Sequence, residues 1–100
     1  MPTMADLLTE DRIADFCLLH PRWEQQGDSL VAQVKAKTFL GGMEYVTKVA
    51  QAAEDMDHHP DIDIRWCTLT FRLSTHSEGG ITDLDTTLAE RIDMIVDLLP

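Results

Sequence analysis

Apolar residues change their spacing several times along this chain, and each change marks an element. From Glu10 to Leu19, Ile13, Phe16 and Cys17 recur at helical spacing, with Leu19 near the end. Thr9 is placed to cap this helix, Glu10 and Asp11 put negative charge in its first turn, and Pro21 stops it. The period then shortens. Trp23–Gln26 and Ser29–Lys35 flank Gly27-Asp28, the signature of a short hairpin, with Leu30, Ala32 and Val34 on one face and Val31 breaking the alternation on the other.

Helical spacing returns from Thr38 to about Asp57. Phe39, Met43, Val46, Ala50 and Ala53 form one stripe, assigned to the core, and Gly41-Gly42 predicts a ragged start. His59 precedes Pro60, so it falls at the exit of this helix in extended geometry. Ile62 and Ile64 then alternate with Asp61, Asp63 and Arg65. Cys67, Leu69, Phe71 and Leu73 alternate with Thr68, Thr70, Arg72 and Ser74, the clearest strand in the chain. A tight turn near Trp66 joins the two, and Thr75–Ile81 is a loop.

The last helix starts at Thr82. Thr82 and Asp85 have capping-box spacing, and Leu84, Leu88, Ile92, Ile95 and Leu99 carry the apolar stripe. The order α-β-β-α-β-β-α predicts an α+β fold: two layers, with a four-stranded, mainly antiparallel sheet and helices packed on one face. The other face is left to water or to an oligomer contact. No linker or repeat interrupts residues 1–100, which read as a single domain.

Composition narrows the classes of function. The chain has 100 residues, with 8 Lys plus Arg against 18 Asp plus Glu, a formal charge of −10. Such a surface repels phosphate backbones and anionic lipid, and the few cations are scattered, which argues against nucleic-acid or membrane partners. No apolar run approaches the ~20 residues that span a bilayer, and the first residues lack a secretory pattern. A cytoplasmic location is expected. Cys17 and Cys67 lie 50 residues apart without a CxxC and read as reduced, buried and structural. Trp23 and Trp66 are assigned to packing, and His20 to the helix stop.

Candidate chemistry gathers at element junctions. His58 and His59 stand at a helix end, and His76 follows the best strand. If the strands pair through the turn near Trp66, His76 approaches the other two around one small hollow. Three readings are open for this cluster. The histidines cap a helix C-terminus; or they bind a metal with Asp55 or Asp57; or they transfer protons without one, since imidazole titrates near neutrality. Glu54, four residues before His58, is placed to orient that ring, and Asp85 either caps its helix or fixes a histidine tautomer.

One combination is more specific. Glu54-Asp55-Met56-Asp57-His58-His59-Pro60, followed sixteen residues after Pro60 by the His of Ser74-Thr75-His76, and then Gly80-Ile81-Thr82-Asp83-Leu84-Asp85, resembles the pterin-4a-carbinolamine dehydratases. The similarity runs from about Trp23 to Asp93, with departures at Arg22, Ile62 and Thr86-Thr87. The resemblance implies a hydro-lyase that dehydrates 4a-hydroxytetrahydrobiopterin, or a related 4a-hydroxytetrahydropterin, to the quinonoid dihydropterin. It implies His58 and His76 as the acid/base pair, His59 as a substrate-binding group, and Glu54 and Asp85 as supporting carboxylates. It requires neither metal nor cofactor, and it implies a homodimer or homotetramer in the service of tetrahydropterin recycling. The alternative is a non-catalytic assembly or protein-binding member of the same fold.

Overall fold

A computed structural model describes residues 6–99. Helix α1 (Glu10–Leu19) leads into strands β1 (Trp23–Gln26) and β2 (Ser29–Lys35). Helix α2 (Phe39–Met56), strands β3 (Asp61–Arg65) and β4 (Thr68–Leu73), a single 3-10 turn (His76–Glu78) and helix α3 (Asp83–Leu98) complete the chain. The element order is the one the spacing predicts.

All strand pairs are antiparallel, in the order β1-β2-β4-β3. Two-residue turns set the register of both hairpins, Gln26 facing Ser29 across Gly27-Asp28, and Arg65 facing Thr68 across Trp66-Cys67. Gly27 takes a positive φ of 60°, which its missing Cβ makes cheap. Trp66 takes φ 54° in the second turn, an uncommon state for a bulky side chain. Its ring is thrown outward, 76 % exposed, and stacks on Phe39. The expectation that Trp66 packs in the core is therefore corrected, whereas Trp23 is buried.

Register brings the apolar faces together. Leu30, Ala32 and Val34 on β2 oppose Leu73, Phe71 and Leu69 on β4, and all six are buried. Against them pack Val49 and Ala53 from α2 and Leu88, Ala89 and Ile92 from α3. Burying a large apolar side chain of this kind stabilises by roughly 1.5–3 kcal/mol. Ile13 adds α1 to the same core. Val31, on the other face, is also buried, beside a cleft of about 870 Å3 where α1 meets the sheet. That face is partly covered by the chain itself rather than simply wet.

Two expectations for α2 are overturned. Of the expected stripe, Ala53 is buried and Val46 packs against the core, but Phe39 and Ala50 are exposed, and the buried line is Gly42, Tyr45, Val49 and Ala53. Its first turns are displaced by about one residue because Gly42, with no side chain, comes close to Ala36 and Leu69, and Tyr45 supplies bulk that an aliphatic count overlooks. The helix also starts cleanly. Thr38 Oγ1 accepts from Gly41 N–H at 2.9 Å, so the cap offsets the poor propensity of the two glycines.

Cys17 is half-buried and Cys67 buried, and both are free thiols. Burial pushes the Cys17 thiol up, Glu24 adds to this, and a backbone hydrogen bond from Gln25 opposes it. The corner between α1 and β1 is tied to α3. Asp93 accepts from Arg22 Nη1 at 2.7 Å and from Trp23 Nε1 at 3.0 Å. Burial works against the Arg22 charge, but bonds to Asp93 and Asp97 outweigh it and raise its pKa. His20 stacks on Phe16 and lies 3.4 Å from Asp93, so it belongs to this corner.

Candidate functional site

Helix α2 ends in a way that separates two adjacent histidines. Asp57 adopts the left-handed region at φ 51°, which Asp tolerates better than most residues. The next amide, His58 N–H, donates back to Ala53 O at 3.0 Å, the long bond of a Schellman ending. This bend turns His58 inward and leaves His59 outward.

His58 is buried, and its Nε2 lies 2.6 Å from Asp85 Oδ1. Asp85 is completely buried in the first turn of α3. Its other oxygen, Oδ2, accepts from Thr82 N–H at 2.9 Å, closing the capping box with Thr82, and from Thr75 Oγ1 at 2.7 Å. Thr75 Oγ1 and Thr82 Oγ1 are themselves 2.7 Å apart, and both threonines are buried. One carboxyl group thus caps α3, as its spacing predicts, and also contacts the His58 ring. Both oxygens of this buried carboxyl group have hydrogen-bond partners, as buried polar groups require.

His59 meets a different partner. Its Nε2 lies 2.7 Å from Glu54 Oε2, and both side chains are exposed. The expectation that Glu54 orients His58 is corrected: the left-handed turn at Asp57 carries His58 away from its own helix, and Glu54 serves the following residue instead.

His76 is exposed at the start of the 3-10 turn, immediately after Thr75. The register that pairs Asp61 with Arg72 folds the end of β4 back toward the start of β3. His58 and the residue preceding His76 therefore meet on one carboxylate. Bridges between Thr75 and Gly80, and between Leu7 and Thr82, fix the intervening loop and the entry to α3. Thr75 and Thr82 were not singled out from sequence as site residues, although Thr75 sits in the Ser74-Thr75-His76 motif.

Adjacent rings turned to separate carboxylates do not make a metal cluster. Among the described residues, no three His, Cys, Asp or Glu side chains are grouped to hold an ion. None of the residues lining the cleft beside α1 is a site histidine. Among the described residues, no helix is long and apolar enough to cross a membrane.

The fold and site together define a small α+β domain with two histidine–carboxylate pairs at the end of α2, one buried and one exposed. Residues 6–95 match the family model of pterin 4 alpha carbinolamine dehydratase, and the chain belongs to that family. A protein of Mycobacteroides abscessus, named provisionally as a pterin-4-alpha-carbinolamine dehydratase, is 56 % identical over 87 residues, covering 87 % of this chain and 93 % of its own. One from Mycobacterium sp. strain KMS, named in the same way, is 50 % identical over 91 residues, 91 % of this chain and 97 % of its own. The crystal structure of a transcriptional coactivator/pterin dehydratase from Brucella melitensis superposes with a TM-score of 0.88 at 27 % identity, covering 91 % of this chain and 99 % of that one. A pterin dehydratase-like protein described as a RuBisCO assembly factor in the alpha-carboxysome shares the fold, with a TM-score of 0.61 at 16 % identity over 75 % of this chain and 87 % of that one.

Proposed function

We propose that this protein is a hydro-lyase that dehydrates 4a-hydroxytetrahydrobiopterin, or a related 4a-hydroxytetrahydropterin, to the quinonoid dihydropterin. The reaction loses one water. The C4a–O bond breaks as the leaving oxygen gains a proton, and the N5 proton departs as the C4a=N5 bond forms. No electrons leave or enter the pair of molecules, so an acid and a base working near neutral pH are what the step asks for.

In this reading His58 and His76 are the acid/base pair, His59 binds and orients the pterin, and Glu54 and Asp85 are supporting carboxylates. Convergence of the three imidazoles on one heterocycle is part of the proposal. The observation that carries it is the buried His58–Asp85 bond at 2.6 Å, with the Thr75 hydroxyl on the same carboxylate. A buried carboxylate fixes an imidazole's orientation and stabilises its charged form as a proton arrives. The exposed His59–Glu54 pair suits binding, because a solvated partner is readily exchanged for a ligand group.

Work in the cytoplasm on recycled tetrahydropterin fits the free thiols and the acidic surface. Assembly as a homodimer or homotetramer fits the position of β3 at the sheet edge, where a second chain could complete the ladder. A second reading, a non-catalytic assembly role, draws on the fold shared with the protein described as a RuBisCO assembly factor. A stopped-flow ultraviolet assay of carbinolamine decay separates the two. Catalytic amounts of protein should accelerate the decay; decay at the uncatalysed rate would leave the assembly reading.

A further inference from the structure

We infer that Thr75 is a positioning residue, and that Nδ1 is the nitrogen of His58 that exchanges protons with substrate. Both halves rest on the acid/base reading proposed above; the hydrogen-bond wiring they are argued from exists without substrate. The donors and acceptors around Asp85 can be counted one by one.

An amide N–H can only donate, so Asp85 Oδ2 is an acceptor toward Thr82 N–H, 2.9 Å away. A hydroxyl has a single proton to give. Thr82 Oγ1 accepts from Leu84 N–H at 3.2 Å and lies 2.7 Å from Thr75 Oγ1. Thr75 Oγ1 donates to Asp85 Oδ2 at 2.7 Å. The direction that satisfies every atom runs from the Leu84 amide to the Thr82 hydroxyl, then the Thr75 hydroxyl, then Asp85 Oδ2. Among the described residues no buried side-chain nitrogen or oxygen is left without a partner, as this ordering requires.

With Oδ2 held by two donors, Oδ1 is the oxygen left for the imidazole. A carboxylate accepts, so His58 donates its Nε2–H across the 2.6 Å contact. In the neutral ring the proton then sits on Nε2, and the lone pair is on Nδ1. Thr75 does more than hold the carboxylate. It is the residue before His76, so a single stretch of backbone locates both imidazoles of the proposed pair.

Substitution of the carboxylate by an amide tests this wiring. In Asp85→Asn the amide oxygen must still face the Thr75 hydroxyl and Thr82 N–H, so the cap survives. The NH2 group is then turned on His58 Nε2, which has to become an acceptor. Nitrogen-15 NMR of the full chain, at a pH where imidazoles are neutral, reads the tautomer directly, with the His58 signals assigned by difference from His58→Gln. The expected result is Nε2–H in the unmodified protein and Nδ1–H in Asp85→Asn, with unchanged circular dichroism. Nδ1–H in the unmodified protein, or Nε2–H retained in Asp85→Asn, overturns the inference.

Kinetics test Thr75 itself. Thr75→Val should lower kcat about tenfold with KM changed by less than about twofold, and Thr75→Ser should restore kcat, because a misplaced proton carrier slows chemistry without weakening binding. Full kcat in Thr75→Val overturns the positioning role. If the unmodified protein fails to accelerate carbinolamine decay, the functional reading falls, while the tautomers still decide the wiring.

Discussion

His58 and His59 leave the same helix end and each meets one carboxylate, at 2.6 Å for Asp85 and 2.7 Å for Glu54. The distances hardly differ; the surroundings do. Asp85 is 0 % exposed and the His58 side chain 10 %, whereas His59 and Glu54 are 53 % and 75 % exposed. Water can replace either member of the outer pair, so its net worth is small. Nothing replaces a member of the inner pair, and its loss strands a buried group. Burial holds the inner pair together, and the outer pair stands open to water.

The comparison breaks most visibly at Asp85. Asp85→Ala removes a helix cap and leaves His58, Thr75 and the Thr82 amide without their acceptor, and should cost about 3–5 kcal/mol of stability, read by urea unfolding. A loss below about 1 kcal/mol would mean that the inner pair is no stronger than a surface one. His76→Ala should slow dehydration by about 10²-fold or more while unfolding free energy changes by less than about 0.5 kcal/mol, since the side chain is exposed. His59→Ala should act mainly on KM, raising it by roughly tenfold with little change in kcat, as expected for a group that binds substrate and transition state alike. The smallest effect is at its partner. Glu54→Gln should move stability by less than about 0.5 kcal/mol, and a change as large as that of Asp85→Ala would erase the contrast.

Much of the architecture is written in local spacing. Among the described residues, the shift from helical to alternating periodicity locates the three α-helices and four strands but not the 3-10 turn at His76–Glu78, and capping residues such as Thr9 and Thr82 mark helix starts because they answer a local need for acceptors. What local spacing could not give was the face of α2. Gly42 and Tyr45 are buried for reasons set by Ala36 and Leu69 on other elements, so an aliphatic stripe ran one residue off. Trp66 misled in the same way, because the φ of a two-residue turn, rather than the hydrophobicity of its ring, decides where it points.

The site divides along the same line. Histidines at junctions are visible in sequence because few other side chains offer proton transfer at neutral pH. Which carboxylate serves which ring is a tertiary fact. Glu54 is near both His58 and His59 in sequence, and the left-handed turn at Asp57 settles the matter by pointing His58 at a residue 27 positions away. Thr82 is legible as a cap and Thr75 is not legible at all, because threonine is common in strands; the contact between their hydroxyls gains meaning only from the buried carboxylate beside them.

The central claim is that a carboxylate-held imidazole and the exposed one beside Thr75 move the protons of a pterin dehydration. Stopped-flow ultraviolet decay of the 4a-carbinolamine, run with the unmodified protein, His58→Gln and His76→Ala at matched folding, tests it most directly. The expected result is acceleration by the unmodified protein and a fall of about 10²-fold or more in each variant. Equal acceleration by all three would contradict it.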